Sequence, residues 1–204
     1  FDGTMGDTAA VIVQTMQATI RELNLPARTD EQCASMIGLR LVEIPPVLFP
    51  DCGLDGEFYA ETYRRLFKIY NTDDAVKLYP NVPETLIELK NRGYVLTIAS
   101  SRSRKTLVEY VERLGLSEHI SYILGADDVV NGKPDPEPVN RTLDKYGFDA
   151  QDAIVVGDTE YDILMGKNAG TYTCGVTYGN GSRESLKDAD WIIDDFGTLL
   201  EIIK

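Results

Sequence analysis

The sequence predicts a doubly wound α/β fold, a parallel sheet with helices on both faces, interrupted by an all-helical insertion. Three observations predict it. Short apolar runs alternate with stretches of helical spacing through the last 125 or so positions. Those runs carry few polar residues, as strands buried on both faces do. Residues 8–79, by contrast, read as helix after helix without a convincing strand.

The elements follow in order. Ala9, Ile12, Val13, Met16, Ile20 and Leu23 recur at helical intervals, and Pro26 closes that helix. Residues 29–38 and 55–71 read as further helices, with Pro45-Pro46 and Pro50 breaking the chain between them. Pro83 to Arg92 is a helix with proline in its first turn. Tyr94 to Ala99 is rich in strand formers, and Leu107, Val111 and Leu114 mark a helix ending near Gly115. A short strand at Tyr122 to Leu124 precedes a helix that includes Val139 to Tyr146. Ala153 to Val156 is a buried strand, followed by a helix through Ile163 and Leu164. Thr171 to Val176, Trp191 to Ile193 and Phe196 to Ile203 complete the alternation. Right-handed alternation of this kind gives a parallel sheet. The helical stretch is then either an insertion after a first strand represented by Phe1, or a separate N-terminal helical domain. The first alternative divides the chain into a core of residues 1–7 and 80–204 and a helical unit of residues 8–79.

Composition narrows the function. The 204 residues are 43% hydrophobic and 26% charged, ordinary for a folded domain. A net charge of −13 repels nucleic acid and anionic membranes, so neither is expected as a partner. Cys33, Cys52 and Cys174 form no CxxC pair, which fits reduced thiols in a cytoplasmic protein. His119 is the single histidine, so a Ser-His-Asp triad or a histidine-rich metal site would have to depend on it. Chemistry is expected instead from carboxylates, hydroxyls and lysine.

Open sheets bind ligands beyond the carboxyl ends of their strands. The polar residues at those ends are Asp2-Gly3-Thr4, Ser100-Ser101, Lys133 in the loop after 122–124, and Asp158 with Asp162 four positions on. Each alone reads as readily as a turn, a helix cap or a solvated loop residue. Together, in this order, they converge on one rim. Two carboxylates about 4 Å apart repel by roughly 4 kcal/mol at an effective dielectric near 20. Asp2, Asp158 and Asp162 therefore call for counter-charge. Lys133 supplies part of it, and a hard divalent cation supplies the rest, Mg²⁺ being usual where phosphate is also a ligand.

These residues resemble the motifs of the haloacid dehalogenase superfamily. Phe1-Asp2-Gly3-Thr4 matches the last four positions of its Asp-x-Asp-Gly-Thr motif. Ser100 ends a strand as the second motif requires, Lys133-Pro134 matches the third, and Gly157-Asp158-Thr159-Glu160-Tyr161-Asp162 matches Gly-Asp-x-x-x-Asp. The tail, with Gly175-Val176-Thr177-Tyr178-Gly179 and Ile192-Ile193-Asp194-Asp195, is similar to the phosphoglycolate-phosphatase-like branch.

The resemblance implies a Rossmann-like core with residues 8–79 as an inserted helical cap. It implies a Mg²⁺-dependent phosphatase acting on a small phosphorylated metabolite, as a monomer or weak homodimer. The nucleophilic Asp is expected immediately before Phe1, forming an aspartyl-phosphate. Asp2 becomes the acid/base and, through its carbonyl, a metal ligand; Asp158 and Asp162 complete the metal site. Ser100, Lys133, Gly3 and Ser101 hold the phosphoryl group, and Arg40 in the cap meets a substrate anion. A phosphomutase like β-phosphoglucomutase, or a pyrophosphatase, would use the same residues. A metal-free dehalogenase would not need Asp2 or the Asp158 and Asp162 pair. Of another class altogether are a non-catalytic phosphate sensor and a signalling receiver domain, though the latter has no helical insertion.

Overall fold

The computed structural model describes residues 1–203. The first helices are α1 (Ala9–Glu22), α2 (Asp30–Ala34), α3 (Ile44–Leu48) and α4 (Gly56–Tyr70). α1 packs on α2 and α4, and α3 closes against α4. α4 shows why it is a helix and which way it faces. Asp55 caps it by accepting from the Phe58 amide at 2.8 Å, and Tyr59, Tyr63, Leu66 and Phe67 line its buried face at intervals of three and four. α1 buries Thr15 and Thr19 among apolar neighbours, and each hydroxyl donates to the carbonyl four residues back, at 2.7 and 2.8 Å. Burial there leaves no unsatisfied hydroxyl.

The strands are β1 (Gly6–Asp7), β2 (Lys77–Leu78), β3 (Thr97–Ala99), β4 (Tyr122–Leu124), β5 (Ile154–Gly157), β6 (Tyr172–Val176) and β7 (Trp191–Ile193). β3 pairs with β4 and β5 with β6 and β7, all parallel, with Ile98 opposite Ile123 and Val156 opposite Cys174. Helices α5 (Val82–Asn91), α6 (Arg104–Arg113), α7 (Glu137–Tyr146), α8 (Glu160–Asn168) and α9 (Leu199–Ile202) alternate with them. This is the expected Rossmann-like α/β arrangement. One apolar core runs from Met16 and Tyr63 in the helical stretch to Ile98, Leu107 and Cys174 in the α/β stretch.

Four features differ from the sequence reading. The parallel strands form two ladders, not one continuous sheet. Phe1 belongs to no strand; it is buried and stacks on Tyr110 at 5.4 Å. Residues 1–4 connect the ladders through side chains, with Asp2 reaching Arg102 after β3 and Thr4 reaching Asp158 after β5. The stretch 8–79 also carries β2, a two-residue strand antiparallel to β1 that brings its two ends together. A two-residue strand is too short to show periodicity in sequence. Finally, the expected helix over 29–38 is only α2, since Gly38 adopts φ +110°, which a helix does not allow.

Core packing sets two opposite expectations for stability. Leu107 is fully buried, and Leu107→Ala should lower unfolding stability by about 2–5 kcal/mol. Tyr59 is equally buried but its Oη has no hydrogen-bond partner, so Tyr59→Phe should leave the urea midpoint unchanged or raise it. Urea unfolding of the two variants beside the wild type checks both.

Candidate active site

Ser100 follows β3, Asp158 follows β5 and Lys133 lies in the loop after β4, whereas Asp2 and Gly3 lie in a turn that no strand precedes, Asp162 is on α8 and Arg40 is in the helical stretch. Gly3 has φ +74°, and a Cβ there would lie 1.9 Å from Asp158 Oδ2, so only glycine lets the chain pass this carboxylate. Gly179 is packed as tightly, its notional Cβ falling 2.3 Å from the Gly3 carbonyl. The two glycines enclose Asp158, which is 2% exposed. Asp158 Oδ1 accepts from the Thr4 hydroxyl at 3.0 Å, and Oδ2 accepts from the Asn180 amide and side chain at 2.8 and 2.9 Å. All these donors are neutral. Burial, and then the Asp162 carboxylate beside it, push the Asp158 carboxyl above its usual range.

Asp162 is treated differently. It stands on the first turn of α8, where Oδ2 accepts from the Thr159 amide at 3.1 Å and hydroxyl at 2.7 Å. Its Oδ1 is paired with the Lys133 ammonium. Burial raises the Asp162 carboxyl, but Lys133 outweighs burial and holds it below the usual range.

Asp2 has a partner that the sequence did not announce. Arg102 grips it along one edge of the fork, Nε to Oδ1 and Oδ2 at 3.2 and 3.0 Å and Nη2 to Oδ1 at 2.7 Å. The guanidinium lies over the rings of Phe67 and Tyr110, at 5.0 and 5.1 Å. Burial pushes Asp2 up, yet Arg102 more than reverses it and keeps the carboxyl below its ordinary value. The three carboxylates therefore do not form the single shared cluster expected from the sequence. Asp2 and Asp162 each face a cation, and only Asp158 has none.

Among the described residues no three acid, histidine or cysteine side chains stand close enough to hold a metal ion. The surroundings still fit one. Asp158 is a buried carboxylate with neutral donors only and a second acid alongside, which a hard cation with oxygen ligands would relieve.

The hydroxyl pair after β3 divides its work. Ser100 Oγ accepts from the Arg102 amide at 3.2 Å, which leaves its own proton to donate. Ser101 Oγ donates to the Gly38 carbonyl at 2.7 Å and so ties the core loop to the helical stretch. Arg40, expected to meet a substrate anion, directs Nη1 to the Val130 carbonyl at 3.4 Å, a long contact over the loop that carries Lys133. A cavity of about 720 Å³ opens between these parts, and Asp2, Ser100, Ser101, Lys133, Asp158 and Asp162 all line it, as does Arg40. Gly3 shapes the site through Asp158 and is not in the cavity wall. Arg102 and Asn180 are the residues the sequence reading missed, and Thr4, named there only as part of the motif, proves to be a donor to Asp158. Arg102 carried one signal, its place two positions after a strand-ending serine; Asn180 lies 22 positions from the acid it holds and carried none.

The haloacid dehalogenase-like hydrolase family matches residues 1–176. The chain belongs to that family. It is 32% identical over 220 residues to the phosphoglycolate phosphatase of Vibrio cholerae, covering 99% of this chain and 93% of that one. It is 33% identical over 205 residues to the pyrophosphatase PpaX of Bacillus velezensis, covering 98% and 92%. The structure of a predicted phosphoglycolate phosphatase from Haemophilus somnus superposes with a TM-score of 0.85 at 26% identity, covering 100% of this chain and 95% of that one. The chain is accordingly a hydrolase of the phosphatase type. No described helix is long and apolar enough to cross a membrane.

The two ion pairs give the protein an acid limb. Asp2 and Asp162 have folded-state values below their unfolded ones, so their stabilisation is complete above roughly pH 4 and is lost as pH falls through the depressed values. Asp162→Asn should flatten this loss, and urea unfolding between pH 7 and pH 3 measures it. An unchanged slope would mean that Asp162 gains nothing from Lys133.

Proposed function

We propose that this protein is a Mg²⁺-dependent phosphatase that hydrolyses a small phosphomonoester of the phosphoglycolate kind through an aspartyl-phosphate. The observation that carries this reading is the convergence of Asp2, Ser100, Lys133 and Asp158 on one cavity wall. The names of the Vibrio cholerae and Bacillus velezensis relatives support it. Residues 8–79 act as the cap over a core of residues 1–7 and 80–204, and the Ser101 to Gly38 bond is a contact between them. The protein acts in the cytoplasm, as a monomer or weak homodimer.

In the first step a carboxylate oxygen of the Asp immediately before Phe1 attacks phosphorus. The bond to the leaving oxygen breaks, and Asp2 delivers its proton to that oxygen. In the second step Asp2 takes a proton from water as the water attacks the aspartyl-phosphate, which releases inorganic phosphate and restores both carboxyls. Ser100 donates its free proton to a phosphoryl oxygen. Lys133, held against Asp162, offers its remaining N–H groups to the same phosphoryl group. Mg²⁺ would be held by the Asp158 carboxylate and the Asp2 carbonyl, with Asp162 in support, and would offset phosphoryl charge. Arg102, paired with Asp2, keeps the carboxyl below its ordinary range and so favours the ionised form that the second step uses. The first step needs that pair to loosen so that the carboxyl can hold a proton.

Cleavage of pyrophosphate is the second reading. The Bacillus velezensis relative favours it, and Arg40, Arg64, Lys68, Arg102, Lys105 and Lys133 stand in the cavity wall to meet its charge, beside the carboxylates there.

Steady-state assays with an aryl phosphate test the roles. Chelation of divalent metal and Asp158→Asn should each reduce kcat/KM by at least about a hundredfold, and Lys133→Ala by a similar factor, because each removes charge stabilisation from the transition state. Activity that survives both chelation and Asp158→Asn would refute the metal assignment. Wild-type rates in Lys133→Ala would reduce Lys133 to a partner of Asp162.

A further inference from the structure

Arg102 is part of the cavity wall, and the two steps above leave its guanidinium only partly used. Nε and Nη2 serve Asp2. No hydrogen bond of the described residues uses Nη1, and Nη1 is not among the buried polar atoms left without a partner. A partnerless atom that is not sealed in protein is open to the space its residue lines, which here is the cavity. An arginine with a free N–H pair in a cavity, its plane fixed between two rings, is built to bind an oxyanion.

We propose that Arg102 binds, through Nη1, a second anionic group carried on the leaving-group side of the substrate, a carboxylate or a phosphate. The inference rests on the phosphatase reading above and names the substrate class for that same site. Position fixes the side. Asp2 is the group that would protonate the leaving oxygen, and Arg102 grips that same carboxylate. Ser100 holds the transferring phosphoryl group, and the Arg102 amide is within 3.2 Å of its Oγ. What lies next to the guanidinium is thus the departing part of the substrate, a few bonds from phosphorus.

Charge fits the same assignment. An anion arriving beside Asp2 would be repelled by it unless the guanidinium were shared between the two. Lys68 on α4 and Lys105 on α6 also line the cavity, and neither makes a hydrogen bond or ion pair with any described residue. Lys68 follows Phe67 and Lys105 follows Arg102 by three positions, so both uncommitted cations are carried by the segments that hold the guanidinium, with the acids Glu57, Glu109 and Asp127 in the same wall. Phe67, which stacks on the guanidinium, comes from α4 in the helical stretch, so the binding residue is positioned from both sides of the cavity.

The test uses the full-length protein and a matched pair of non-hydrolysable phosphonates. 3-Phosphonopropionate carries a carboxylate, and propylphosphonate has the same chain without it. Calorimetry on the wild type should show at least about tenfold tighter binding of 3-phosphonopropionate, the factor expected for one charge-assisted contact. Arg102→Gln should reduce that preference to about twofold or less, with Arg102→Lys between, because lysine keeps the charge and loses the planar fork. In turnover, the ratio of kcat/KM for phosphoglycolate to that for p-nitrophenyl phosphate should fall by the same factor. A wild type with no preference overturns the proposal, as does a preference that persists in both variants. The two readings also separate. If neither ester is hydrolysed but the phosphonate preference follows Arg102, the phosphatase reading fails and the anion site stands. If both esters are hydrolysed and the preference ignores Arg102, the anion site fails alone.

Discussion

Charge compensation among three buried carboxylates constrains the rest of this structure. Asp2, Asp158 and Asp162 lie where β3 and β5 end, and each ionises at a cost that burial imposes. The protein meets that cost in three ways. Arg102 gives Asp2 a forked ion pair, Lys133 gives Asp162 a point charge, and Asp158 receives only neutral donors. The asymmetry has a chemical consequence. A carboxylate already paired with a side chain has less to offer a cation, whereas Asp158, with its raised pKa and neutral shell, gains most from one. The glycines at 3 and 179 belong to the same constraint, since the neutral donors can only reach Asp158 if the backbone passes within van der Waals contact of it.

Polar contacts join the helical stretch to the α/β stretch at the end of α4 and at the site. At the end of α4 Tyr110 and Arg113 bond Asn71, Thr72 and Asp73. At the site Ser101 reaches the Gly38 carbonyl and Arg40 reaches Val130, with Phe67 covering Arg102. One hydroxyl bond and one long guanidinium contact, each worth on the order of 1 kcal/mol, can be exchanged for bonds to a ligand at little net cost. Ser101 and Arg40, read from sequence as ligand contacts, are in this structure the groups that fasten the two parts together at the site, while Tyr110 and Arg113 do so at Asn71 to Asp73. A phosphoryl group competing for Ser101 would therefore change how the helical stretch is tied down as well as where the ligand sits.

How much of this was legible follows from what sequence can carry. Ser100, Lys133 and Asp158 were readable because parallel strands send their carboxyl ends to one rim; Asp2 was placed there on the expectation of a strand at Phe1, and it reaches the rim through Arg102 instead. α4 and α1 were readable because their buried faces repeat at helical spacing. What stayed hidden has a common cause. Arg102 acts on a residue 100 positions away and Asn180 on one 22 away, and neither pairing leaves a local pattern. Charge counting foresaw a need for cations near the acids and named Lys133 alone. It placed the acids in one shared cluster because sequence gives the number of charges at a rim and not which charge faces which. The two-residue strands β1 and β2 were missed for a related reason: their pairing joins Gly6 with Leu78 across the whole helical stretch.

The Asp2 and Arg102 pair then poses the problem that the chemistry must solve. The same carboxyl must donate a proton in one step and accept one in the next, while a bidentate guanidinium favours only the acceptor form. Removing the arginine altogether would leave Asp2 buried with no counter-charge and would favour the donor form instead. A residue that is present, planar and shareable resolves the conflict. While Arg102 serves Asp2 through Nε and Nη2, Asp2 is a base; an oxyanion at Nη1 places a second negative charge beside the carboxyl and makes it more readily protonated. A leaving group that carries its own negative charge would thereby produce the acid it needs, and a neutral leaving group would not. Substrate discrimination and acid catalysis would then rest on one guanidinium, which accounts for its burial between Phe67 and Tyr110, where it cannot swing out into water.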